Sequence, residues 1–236
     1  MNKTIKEFNI HISVFIICFF CFLLLPSVLD TIGFYDLIET YSLFYIRSYT
    51  INNYLNIICY TIAFAILICV IQREQFDKLI NSFKEHKSII NGIAIGILIV
   101  TLTLCYNLIV NNFIKTGANL NEQSVDSLVY REPVLSFFVI VIIAPIFEEY
   151  VYRFGLFGFF KDINPKLAYI ITIIVFALIH FNVSDDPNIM LNELLNLPTY
   201  LFAALSLSFA YDKYGMSACI VAHIVNNLLA YISSLG

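Results

Sequence analysis

The chain has 236 residues, 60% of them hydrophobic and 13% charged, with a formal net charge of −4. Soluble domains carry roughly 25% charged residues, so half that share, with a mean hydropathy of +0.83, excludes an ordinary soluble globular protein. The composition implies an all-α fold: a polytopic transmembrane helix bundle of about seven spans.

In chain order the apolar runs fall at about 9–29, 54–71, 88–110, 134–160, 167–181, 194–211 and 216–235. Lys3 and Lys6 precede the first run, which lacks a small-residue cleavage site after it and is read as a retained helix, not a signal peptide. Phe34, Leu37, Ile38, Tyr41 and Phe44 recur at helical spacing among Asp36, Glu39 and Thr40, the pattern of an amphipathic interfacial helix. The stretch 72–87 mixes charges with Phe76, Leu79, Ile80 and Phe83 and reads as a cytoplasmic extension of the second span. Ten of the thirteen Lys and Arg lie before the first span or in later even-numbered connections, leaving Arg47, Lys115 and Arg131 opposite. The positive-inside rule then puts the N-terminus in the cytoplasm. The net charge sums two unlike faces and says little about partners; the bilayer is one, and no nucleic acid is expected.

All six cysteines lie within spans and read as small apolar packing residues, Cys18 and Cys21 included. No repeat or long linker divides the chain, so it forms one membrane domain: residues 1–132 carry no distinctive signature and 133–236 carry the chemistry.

That chemistry begins at Glu148-Glu149-Tyr150-Val151-Tyr152-Arg153, three charges inside an apolar run. An ionisable side chain at mid-bilayer costs at least roughly 2.5–3.5 kcal/mol, so such residues point to function or to a paired staple. His180 and His223 sit on two further apolar segments, with Asn227 four residues beyond the second. At about 1.5 Å per residue, Glu148 lies some 20 Å from Lys161, His180 about 21 Å from Lys166, and His223 and Asn227 about 12 and 18 Å from Gly215. The polar groups therefore converge within the membrane, where each needs a partner.

Glu149 and Arg153, four apart, pair along one helix face, as a structural staple or as part of a catalytic site. Glu148 points about 100° away, without that partner, as a general base requires. His180 could share a water with Glu148, while His223 and Asn227 present N–H donors suited to an oxyanion. His11 and His86 read as bystanders. Glu148, His180 and His223 form a possible zinc ligand set, but without HExxH spacing; a metal-free site with no cofactor is the expectation.

Glu148-Glu149-x-x-x-Arg153, Phe176-x-x-x-His180 and His223-x-x-x-Asn227, in this order on three apolar segments, resemble the motifs of the CAAX-protease and bacteriocin-processing (Abi) family. Its members include the type II CAAX prenyl endopeptidases. The resemblance runs from Pro133 to the C-terminus. It implies a glutamate-dependent intramembrane peptidase: Glu148 activating water with His180, His223 and Asn227 forming the oxyanion site, Glu149 and Arg153 bracing the helix, and Phe176 in support. A peptide or lipid-linked protein would be the substrate. The richness in Ile, Asn, Phe and Lys suggests a bacterial plasma-membrane protein in peptide processing or bacteriocin self-immunity. A non-catalytic membrane regulator or immunity protein, using the polar cluster only to hold its helices, is the rival. A proton-coupled transporter would also use buried Glu and His but predicts paired broken helices, which the sequence lacks.

Overall fold

The computed structural model describes residues 3–20, 25–34, 61, 62, 65 and 73–236. Among these every regular element is helical: α1 (Lys3–Phe19), α2 (Leu25–Thr31), α3 (Arg73–Ser82), α4 (His86–Asn111), α5 (Leu120–Arg131), α6 (Pro133–Ile163), α7 (Pro165–Leu178), α8 (Pro187–Tyr214) and α9 (Met216–Ser234). Four of them, α4, α6, α8 and α9, are long and apolar enough to cross a bilayer, and α7 is a shorter apolar helix. The all-helical membrane bundle is thus observed. The second expected span and the interfacial helix fall almost wholly outside the described residues. The first expected span is divided between α1 and α2, with residues 21–24 likewise outside.

Apolar side chains here serve two surfaces. Ile90, Ile97, Leu104, Leu108 and Ile109 of α4 are exposed, as a lipid-facing stripe must be. Its opposite side carries Gly92 and Gly96, where an added Cβ would lie 2.6 Å from the Ala218 carbonyl and 2.7 Å from that of Ala222. Lipid is as apolar as leucine, so close backbone approach and polar contacts hold such helices together. The two glycines let α9, the helix of His223 and Asn227, pack directly on α4.

Three boundaries differ from the sequence reading. The stretch before α6 contains α5, opened by a reciprocal cap: the Asn119 side chain accepts the Glu122 N–H at 2.8 Å while the Glu122 carboxylate accepts that of Asn119. Helix α8 starts at Pro187, well before the expected 194, with Asp186 accepting the Asn188 N–H. Its early polar residues Asn192, Glu193 and Asn196 had interrupted the apolar pattern, but they turn inward to bind residues 117–120. Helix α7 ends at Leu178, so His180 lies just beyond it, its N–H donating to the Ala177 carbonyl in a tightened last turn.

The connections alternate between two ends of the bundle. One end joins Lys161 to Asp212 and Ser88 to the Tyr214 carbonyl; the other joins Gly117 to Asn192 and Asp126 to Ser234.

Candidate active site

Helix α6 is α-helical in three short stretches and π-helical over Phe137–Ile143 and Tyr150–Phe157, on both sides of the paired glutamates. The i→i−5 bonding of a π-helix turns the backbone more widely and rises less per residue, and such segments recur at functional sites. The π-helical turns between Glu148 and Lys161 lower the rise below that of an α-helical count. At the first π segment the Ala144 N–H reaches back five residues to Val139. The next donor in that register would be residue 145, a proline with no N–H. The Ile140 carbonyl instead accepts from Asn227 Nδ2 at 3.0 Å. A backbone irregularity set by Pro145 therefore fixes the α9 amide.

Glu149 is the hub. Fully buried, its Oε1 accepts from Arg153 Nη1 at 3.0 Å and His223 Nδ1 at 2.6 Å, and its Oε2 from Cys219 Sγ at 2.6 Å. The expected pairing with Arg153 along one helix is present, but the carboxylate also reaches across to α9 twice. A buried ion pair survives only when its remaining lone pairs are bonded in this way. Cys219, read from sequence as an apolar filler, is a donor here and also bonds the Leu207 carbonyl at 3.1 Å.

Glu148 contrasts with its neighbour. It accepts no hydrogen bond from the described residues, and its short contact is 3.9 Å from Oε2 to His223 Nε2. Because a carboxylate can only accept, His223 Nδ1 carries the proton it shares with Glu149 and Nε2 is the nitrogen that faces Glu148. His180 Nδ1 donates to the Phe176 carbonyl at 2.8 Å, so Nε2 of the neutral ring keeps its lone pair. No hydrogen bond joins His180 to Glu148, although the two lie within electrostatic reach.

The Phe176 ring ties these groups together. Its centroid is 4.9 Å from that of His180 and 6.1 Å from that of His223, and the Arg153 guanidinium lies 4.4 Å over its face. Tyr152 packs edge-on against it at 5.4 Å. The structure thus gathers Glu148, Glu149, Arg153, Phe176 and His223 around one point, with His180 joined through Phe176 and Asn227 one turn beyond His223. His11, read as a bystander, bonds the Phe154 carbonyl at 2.7 Å and packs where a side chain on Gly158 would collide with it, fastening α1 to α6. Tyr200, missed from sequence, stacks on His180 with centroids 4.6 Å apart and planes 20° apart. Its signal was an aromatic residue inside a span, which is indistinguishable from packing.

Zinc would require three donors at ligand distance. Among the described residues no group of three His, Cys, Asp or Glu is so arranged, so the set does not form a preformed zinc site.

The bundle sets a fully buried Glu149 and a partly buried Glu148 beside two histidines, one on α9 and one just past the end of α7. Residues 130–229 match the family model described as type II CAAX prenyl endopeptidase Rce1-like, a similarity confined to this part of the chain. The chain is also 34% identical over 115 residues to a "UPF0177 protein in abiGi 5'region" of Lactococcus lactis subsp. cremoris, covering 49% of this chain and 48% of that protein. It is 28% identical over 184 residues to "UPF0177 protein YaiH" of Lactococcus lactis subsp. lactis, covering 76% and 72%. It is 28% identical over 169 residues to an uncharacterized protein of Mycoplasma capricolum, covering 66% and 47%. The match thus spans about half the length of two of these relatives. No solved structure matches the chain.

Proposed function

We propose that the chain is an intramembrane endopeptidase that hydrolyses a peptide bond of a membrane-associated peptide or lipid-linked protein. The observation that carries this reading is the division of labour between adjacent acids. Glu149 is saturated by Arg153, His223 and Cys219, whereas Glu148 accepts no hydrogen bond from the described residues and faces His223 Nε2. A general base needs a lone pair not already committed.

In this scheme Glu148 removes a proton from water whose second hydrogen points at the lone pair on His180 Nε2. The hydroxide attacks the scissile carbonyl, and its oxygen becomes an oxyanion beside His223 and Asn227. Asn227 has one amide hydrogen committed to Ile140 and one to offer. To donate from Nε2, His223 must carry both ring protons, and Glu149 is its counter-charge. Glu148 then returns the abstracted proton to the leaving amine. Each step uses side chains of this chain, without metal or cofactor.

The relatives are bacterial, and the one-sided distribution of Lys and Arg supports a cytoplasmic N-terminus; on this reading the chain works in a bacterial plasma membrane, in peptide processing or bacteriocin self-immunity. The test is the full chain in lipid nanodiscs with a library of fluorogenic peptides. Cleavage lost in both Glu148→Ala and His180→Ala, and unchanged by chelator, is expected. Cleavage persisting in either variant overturns the scheme, and biological activity retained in Glu148→Gln would favour a non-catalytic regulator.

A further inference from the structure

His180 has an unusual placement for a residue assigned to orienting water: it lies two residues past the end of α7, and its ring is tied to that helix only by the Nδ1 bond to the Phe176 carbonyl. The remaining restraint comes from tertiary contacts, and two converge on it from α8. The Tyr200 ring lies against the imidazole at 4.6 Å, nearly parallel. Seven residues earlier on the same helix face, buried Glu193 accepts the Asn182 N–H at 2.9 Å and so holds the turn that follows His180.

Tyr200 is itself held. Its hydroxyl accepts from Asn119 Nδ2 at 3.0 Å and Asn121 Nδ2 at 3.1 Å, and donates to Asn119 Oδ1 at 3.4 Å. Asn119 is buried and caps α5, whose first N–H, from Leu120, goes to the other oxygen of Glu193 at 2.7 Å. One continuous network thus runs from the α5 cap through Glu193 and Tyr200 to His180. Stacking restrains the tilt of the imidazole plane, while the Phe176 carbonyl restrains rotation within that plane by holding Nδ1–H. Together they leave Nε2 one direction in which to point.

We propose that Tyr200 is the positioning residue of His180: its ring, lying against the imidazole, orients it. This rests on the peptidase reading for its consequence but on contact geometry for its substance. The test uses the full chain, labelled with 15N-histidine, in phospholipid nanodiscs. Four histidines are present, and His180→Ala assigns the signal. In the parent, the His180 signals should show the Nδ1-protonated tautomer and the upfield shift of a ring lying on another ring. Tyr200→Phe should keep both; Tyr200→Leu should lose the ring shift and mix the tautomers. Should the leucine variant fail to accumulate, Tyr200→Met carries the same test.

Turnover is then read on a fluorogenic peptide that the parent cleaves and Glu148→Ala does not. Tyr200→Leu should lower kcat by about tenfold or more with little change in KM, since a small misplacement of a reacting group costs rate rather than binding. Tyr200→Phe should stay within about threefold of the parent. Unaltered His180 signals in Tyr200→Leu, or a Tyr200→Leu kcat equal to the parent's, overturn the proposal. If the parent cleaves no peptide, the hydrolytic reading falls alone, and the nitrogen spectra still decide whether Tyr200 orients His180.

Discussion

Glu149 and His223 stand 74 positions apart in the sequence and meet at 2.6 Å in the middle of the bundle. The same carboxylate carries Arg153 and Cys219, so one residue joins α6 to α9 electrostatically and by hydrogen bonds. The adjacent Glu148 shares none of these bonds. Two neighbouring acids are therefore expected to fail in different ways when changed.

Glu149→Gln leaves the Arg153 guanidinium buried without a counter-charge, and breaking such a pair costs about 3–5 kcal/mol. Accumulation in the membrane and the thermal midpoint should both fall. Glu148→Gln should leave both nearly unchanged while abolishing hydrolysis. Thermal unfolding in detergent with quantitative membrane blots measures the contrast. Equal stability of the two variants would remove the division of labour on which the catalytic assignment rests.

Phe176→Leu preserves bulk but removes the face under Arg153 and the surface between the histidines. A desolvated cation over a ring contributes up to about 2 kcal/mol, which the leucine forfeits. The midpoint should drop and kcat should fall along with it, whereas Phe176→Tyr should retain the cation contact. A leucine variant as stable as the parent would show that the ring contacts are incidental.

Much of this arrangement was legible in the sequence because lipid makes polar residues conspicuous. Glu148, Glu149, Arg153, His180, His223 and Asn227 stand out against apolar runs, and α4, α6, α8 and α9 follow from run length alone. What was not legible has physical causes. The π segments of α6 arise from bonding register, which side-chain periodicity does not encode, although Pro145 marked one of them. Cys219 and Tyr200 act through contacts made by residues that pack equally well as apolar fillers. The start of α8 was hidden because its polar first turns face a buried network and not water. The α5 cap, Asn119 with Glu122, is readable in the sequence but lies outside the long apolar runs that mark spans.

Cys219→Ala removes the single S–H that lies between Glu149 Oε2 and the Leu207 carbonyl. Leaving buried acceptors short of a partner costs about 1–3 kcal/mol, so the alanine variant should unfold earlier. Cys219→Ser supplies an O–H in the same place and should recover most of the loss. Serine no better than alanine would show that the thiol only fills space.

Gly96→Ala tests the packing that delivers α9 to the site. A Cβ there would lie 2.7 Å from both the Ala222 carbonyl and Val225 Cβ, on the turns of α9 that also carry His223. Overpacking of this kind costs about 1–3 kcal/mol, and backbone atoms cannot rotate out of the way. The midpoint should fall, and kcat should fall further than the stability loss explains because His223 moves relative to Glu148. Cleavage at the parental rate in a destabilised variant would separate the packing from the catalytic geometry.

Outside the spans, Glu122 gives the pH dependence of stability a clear direction. Burial holds the Glu122 carboxyl above its ordinary 4.5, helped by Asp126 and Glu193 and opposed by the Asn119 N–H. A raised folded value means that folding favours the protonated acid. Its contribution is complete below 4.5 and is lost as pH rises through the raised value. Glu122→Gln keeps an acceptor for the Asn119 N–H, as capping boxes allow, but does not titrate. The variant's thermal midpoint should therefore exceed the parent's by a margin that grows from acid to neutral pH. Midpoints across about pH 4.5 to 8 measure it, with the histidines cancelling in the difference. A margin independent of pH would mean that Glu122 ionises in the folded protein as freely as in the unfolded chain.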